Sequence, residues 1–277
     1  MMHPLVTAQW LKEQQDNPNL VVLDASINFK IPSETAKDTI NKIPNALRFD
    51  YDKDFSDPSS SLPHMMPSED RFNESAKKIG INNASVIVVY DNSGTFASPR
   101  AWVMLKAMGH ENVYVLDGGL TAWKQAGYET DKSYATPQEP GDFSGTLNSD
   151  YFVSADTVLS QINNNASLTI DARGRARFNA ETEEPRAGIR SGHIPNSICQ
   201  PFAELMNEDR LKPVEQLKPI LEASIDSTKE HYIFSCGSGV TACIVLLACE
   251  LCGYKNMSVY DGSWTEWGQR EDLPIHP

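Results

Sequence analysis

Short apolar runs of four or five residues recur along this 277-residue chain, and helical spacing fills the stretches between them. In the first half "LVVLD" (20–24), "VIVVY" (86–90) and "VYVL" (113–116) are almost continuously apolar, the pattern of strands buried on both faces. Helical periodicity over Pro99–Met108 separates the last two. The second half repeats the rhythm with "LTID", "YIFS" and "MSVY", and a helix begins at about Thr241. Strands alternating with helices predict an α/β fold whose mostly parallel sheet is covered on both faces.

The rhythm is a true internal repeat. "VTAQWLKEQQDNPNLVVLDAS" from Val6 matches "VSADTVLSQINNNASLTIDAR" from Val153, each ending in Asp-Ala at Asp24 and Asp171, 147 residues apart. "NKIPNALRFD" from Asn41 matches "SGHIPNSICQPF" from Ser191. Further on, Gly94 pairs with Gly239 at an offset of 145, and Asp117 and Trp123 pair with Asp261 and Trp267 at 144. A duplicated domain follows: residues 1–134, a Pro/Gly-bearing linker at 135–150 containing "ATPQEPGDF", and residues 151–277.

Charge and composition remove several function classes. A net charge of −13 argues against a nucleic-acid partner, which needs clustered Lys and Arg. The longest apolar stretch, Ala242 to Cys249, is far too short to span a bilayer, so no membrane is expected. The start of the chain has neither a secretory nor a transit-peptide pattern, and the expected location is cytoplasmic. Five cysteines, none before Cys199, do not suggest a disulfide framework. Cys249 and Cys252 form a CxxC inside an apolar helical pattern with no second ligand pair, so they read as packing residues and no metal is expected.

Cys236 breaks the symmetry of the repeat. It stands after the strand "YIFS" and before a helix, with Gly237 and Gly239 in the connecting loop. Ligands of α/β sheets sit at that end of the strands. Glycines there let several N–H groups converge on one centre, and amide dipoles with a helix N-terminus favour a thiolate. The first copy keeps the turn, "YDNSGTF", but carries Asp91 in place of the cysteine. The scaffold therefore tolerates a non-cysteine, and Cys236 points to chemistry rather than to packing.

The whole chain resembles the two-domain rhodanese-like sulfurtransferases, and "CGSGVTAC" is similar to the active loop of their mercaptopyruvate-using branch. The resemblance implies two tandem rhodanese-like domains, with the cysteine in the C-terminal copy alone. Within that family, thiosulfate-using members carry basic residues after the cysteine. Here Gly237, Ser238, Gly239, Val240 and Thr241 are uncharged, which suits an uncharged thiol donor, 3-mercaptopyruvate. The resemblance assigns Arg177 and Arg186 to the donor's carboxylate and ketone, a role that guanidinium forks suit. Arg173, Arg175 and Arg190 read instead as a solvated face balancing Glu181, Glu183 and Glu184, or as internal Arg–Asp partners.

The same resemblance implies a proton-handling set of Asp52, His64 and Ser238, with Asp50 and Asp54 as close competitors for Asp52. It further implies a Cys236 persulfide, release of pyruvate, a thiol acceptor such as thioredoxin or else cyanide, and no cofactor. Thiosulfate transfer is the alternative reading. A cysteine-dependent phosphatase would need Arg six positions after the cysteine, where Ala242 stands. A non-catalytic module is the remaining rival.

Overall fold

The structure is a computed structural model and describes residues 3–277. It divides into two compact units, which follow the two sequence halves except at two short segments. Ser60–Met65 belongs to the second unit and Asn207–Leu211 to the first. Within the overlap, His64 and Asp209 are 145 residues apart, the offset of the repeat. Among the described residues no helix is long and apolar enough to cross a membrane.

The first unit holds a five-stranded sheet of β1 (Leu5–Val6), β2 (Leu20–Asp24), β3 (Leu47–Arg48), β4 (Val86–Tyr90) and β5 (Val113–Leu116), in the order β1-β5-β4-β2-β3. Every pairing in it is parallel. Helices α1 (Ala8–Glu13), α2 (Glu69–Lys78), α3 (Ser98–Ala107) and α4 (Gly119–Gln125) connect the strands. Thr7 caps α1 and Ser68 caps α2, each side chain accepting an orphan amide of the first turn. β4 is buried at Ile87 to Tyr90, which explains why it reads as a continuous apolar run, and α3 is buried at all but Lys106.

The second unit repeats the plan. Its strands β6 (Phe152–Val153), β7 (Ser167–Asp171), β8 (Ile198–Cys199), β11 (His231–Ser235) and β12 (Met257–Tyr260) run parallel in the order β6-β12-β11-β7-β8. A two-stranded ribbon, β9 (Met206–Asn207) and β10 (Arg210–Leu211), lies between β8 and β11 in sequence. The helices are α5 (Ala155–Gln161), α6 (Arg175–Phe178), α7 (Val214–Ser224), α8 (Ala242–Leu251) and α9 (Ser263–Trp267). The repeat is visible down to single bonds. Trp123 and Trp267 are both fully buried, and each indole donates 2.8 Å to a downstream carbonyl, of Glu129 and Pro274.

Residues 135–148 pack on the first unit: Phe143 is buried and its amide bonds the Ile81 carbonyl at 3.1 Å. The segment Asn207–Leu211 docks on the loop after β4, where Thr95 donates its amide to the Asp209 carbonyl at 2.9 Å. A Cβ on Gly94 would stand 2.4 Å from that carbonyl, so only glycine admits the segment.

Candidate active site

The loop between β11 and α8 carries Cys236. Strand β11 ends at Ser235 and α8 starts at Ala242, so the cysteine sits at the carboxyl end of a central strand, ahead of a helix N-terminus. Cys236 is buried, as are Ser238, Gly239 and Val240; Gly237 and Thr241 are partly exposed. Gly239 turns the loop through φ 76°, a backbone region that favours glycine. Cys243 donates its thiol to the Gly239 carbonyl at 3.3 Å and closes the loop onto the helix.

Helix α9 holds the first two peptide units of the loop. The Cys236 amide donates to Ser263 Oγ at 3.2 Å, and the Cys236 carbonyl accepts the Trp264 amide at 2.9 Å. The Gly237 carbonyl accepts both the amide (2.9 Å) and the hydroxyl (2.6 Å) of Thr265. Ser263 pays for its place with a positive φ of 50°, where its repeat partner is Gly119 at φ 51°. A strained non-glycine backbone thus lies one hydrogen bond from the buried cysteine.

The first unit shows what the same loop does around an anion. The Asp91 carboxylate accepts the amides of Gly94 (3.0 Å), Phe96 (3.0 Å), Ala97 (2.9 Å) and Ser98 (2.9 Å), and the Ser98 hydroxyl (2.9 Å). Ser93 adds its amide at 3.3 Å. Burial pushes the Asp91 carboxyl up, and the Ser98 and Ala97 amides pull against that shift. The first copy thus fills its own cradle with a carboxylate. Asp91→Asn would turn an NH2 group onto amide donors, and unfolding stability is expected to fall by about 1–3 kcal/mol. An unchanged urea midpoint for that variant would show that the cradle does not hold this unit together.

Two guanidinium groups reach the Cys236 loop. Arg177, on α6, places Nη2 3.5 Å from where a Cβ of Gly237 would stand. Arg186 donates from Nη1 to Thr265 Oγ1 at 2.6 Å, and so is one hydroxyl away from the Gly237 carbonyl. The structure therefore brings both arginines to Gly237. Arg177 is held by Glu184, which also takes Arg173 Nη1 at 2.7 Å and is only 3% exposed. Arg173 clamps Asp171 and lies over the Trp264 ring at 4.2 Å.

The other basic residues divide. Arg173 is the internal Arg–Asp partner, and Arg175 makes an exposed pair with Glu204. Arg190 is neither: it donates to the carbonyls of Gly268, Trp267, Arg270 and Leu273 and ties down the end of the chain. Glu184 belongs to no solvated face, since two arginines draw it inside. His64 is buried in the unit that contains Cys236, in a left-handed backbone with φ 61°. Asp52 is exposed and lies in the first unit, in a turn where its amide donates to Asp50. Asp50 is engaged with Arg48 at 3.4 Å.

Three of the other four thiols are poor nucleophiles. Burial pushes Cys199 up to about 12, with the Asp171 charge adding to the shift. Cys249 and Cys252 are also raised by burial. Thiolate, not thiol, is the reactive form, so these three are almost wholly inert near neutral pH. Among the described residues no cluster of His, Cys, Asp and Glu could hold a metal ion.

A parallel α/β unit occurs twice, with a cysteine at a strand end ahead of a helix in the second copy and Asp91 in its place in the first. The chain belongs to the rhodanese-like family: the family's domain model, "Rhodanese-like domain", matches residues 7–126 and 154–270. Among its relatives are the 3-mercaptopyruvate sulfurtransferase of Escherichia coli K12, 39% identical over 98% of this chain and 97% of that one. The thiosulfate sulfurtransferase of Bos taurus is 36% identical over 96% of this chain and 92% of its own length. The crystal structure of SseA from Escherichia coli superposes with a TM-score of 0.83 at 35% identity, covering 95% of this chain and 99% of that one.

Proposed function

We propose that the protein transfers sulfur from 3-mercaptopyruvate to a thiol or cyanide through a persulfide on Cys236, releasing pyruvate. The observation that carries this reading is the convergence of Arg177 and Arg186 on Gly237, the residue next to the nucleophile, around a loop without charge of its own. Two guanidinium groups suit an α-keto carboxylate, while the neutral loop leaves the cysteine open to an uncharged thiol.

The Cys236 thiolate attacks the donor sulfur and the carbon–sulfur bond breaks. Its electron pair stays on carbon as the enolate of pyruvate, and the sulfur remains on the enzyme as Cys236–S–SH. Arg177 and Arg186 stabilise the enolate charge as it develops. Ser238 and His64, both in the unit of Cys236, handle the donor and enolate protons. An acceptor thiolate such as that of thioredoxin then attacks the outer sulfur and regenerates the Cys236 thiolate. All five cysteines are free, which suits a reducing, cytoplasmic setting.

Thiosulfate is the second donor to consider, since a thiosulfate sulfurtransferase stands among the relatives. Sulfur transfer to cyanide measured side by side from both donors decides between them. The expected result is a higher kcat/KM for 3-mercaptopyruvate; a higher value for thiosulfate overturns the substrate assignment.

A further inference from the structure

We infer that Thr265 is a positioning residue that sets the active loop and Arg186 in register with one another. The inference rests on the proposed donor only for its catalytic consequence; the geometry stands without it. Thr265 is buried, and its hydroxyl has one proton and two lone pairs. The proton goes to the Gly237 carbonyl at 2.6 Å, and a lone pair accepts Arg186 Nη1 at 2.6 Å. One oxygen thus links the arginine to the loop.

The carbonyl it holds matters for the sulfur. A peptide unit is planar and trans, so fixing the Gly237 oxygen toward α9 turns the Ser238 N–H to the opposite side. The first unit shows where that N–H leads. There the carbonyl of Asn92, repeat partner of Gly237, accepts the Asp38 amide at 3.0 Å, and the Ser93 amide points at the Asp91 carboxylate. Ser238 is the partner of Ser93, and Cys236 of Asp91. By the repeat, the Ser238 amide matches the one that meets the Asp91 carboxylate, and the hydroxyl that holds the Gly237 carbonyl before it also holds Arg186. In the first unit a main-chain amide holds the carbonyl and the matching threonine, Thr121, donates to Ser93 instead at 3.3 Å. The side-chain link is specific to the copy with the cysteine.

Thr265→Val keeps the shape and the backbone bond but removes the hydroxyl; Thr265→Ser keeps the hydroxyl. Each is alkylated with iodoacetate and with iodoacetamide, and the rate at Cys236 is read by peptide mass spectrometry. Arg186, correctly held, favours the carboxylate-bearing reagent. The ratio of the two rates is expected to fall about fivefold or more in Thr265→Val and to return within about twofold in Thr265→Ser. With 3-mercaptopyruvate, kcat/KM is expected to drop about tenfold in Thr265→Val, and by less than about threefold when Arg186 is already replaced by Ala. An unchanged alkylation ratio in Thr265→Val, or a serine variant that behaves like the valine one, overturns the inference. A wild type that prefers thiosulfate overturns the donor assignment instead and leaves the alkylation ratio to report on Thr265.

Discussion

Cys236→Ser is expected to abolish sulfur transfer from either donor and to remove the mass increment of a sulfur atom on the peptide carrying residue 236. A serine oxygen cannot carry a sulfane sulfur, so the double displacement has no intermediate and the loss should exceed about a thousandfold. Folding should be nearly unaffected, because the exchange is close to isosteric and no structural bond depends on the sulfur. The Cys236 amide and carbonyl, which do anchor the loop, belong to the backbone. Cys199→Ser and Cys252→Ser should keep wild-type turnover, since burial suppresses both thiolates. Substantial turnover by the Cys236 variant would sink the nucleophile assignment.

Replacing Arg177 or Arg186 by Ala should each lower kcat/KM for 3-mercaptopyruvate about ten- to a hundredfold, the size of a lost charge-assisted hydrogen bond of about 1.5–3 kcal/mol. The two variants should differ in stability. Arg186 is held by a single hydroxyl, and its removal leaves no buried charge behind. Arg177 shares Glu184 with Arg173, and its removal leaves that buried carboxylate on one guanidinium. Arg177→Ala should therefore lower the Tm while Arg186→Ala does not. Removing both should be less than additive if they grip one substrate group. Unchanged mercaptopyruvate kinetics in both single variants would show that neither arginine grips the donor.

The parts of this protein that were legible in the sequence are those set by local pattern. β2, β4, β5, β7, β11 and β12 are apolar runs because both faces of each sheet are covered, and the duplication made Cys236 conspicuous by setting Asp91 at the matching position. Less legible was anything decided by tertiary neighbours. Glu184 stands in "ETEEPR", where composition predicts a solvated acid; only Arg173 and Arg177, close in space, bring it inside. Thr265 carries no signal in the sequence beyond its recurrence as Thr121 in the repeat. Arg190 gave no sign that it would serve four carbonyls, because backbone acceptors leave no trace in a sequence. The role of Asp91 was half visible: its replacement of cysteine could be read, its filling of the cradle could not.

The two short segments that change sides, Ser60–Met65 and Asn207–Leu211, give the duplication a further meaning. Equivalent copies that trade equivalent pieces are what a domain-swapped homodimer contains, and here the two partners are one polypeptide. Covalent fusion replaces a bimolecular encounter with a fixed, high effective concentration. Dilution, which dissociates a swapped dimer, cannot take His64 from the unit that holds Cys236. Nor can the gene be cut at its middle without leaving each half short of a piece that the other half encodes.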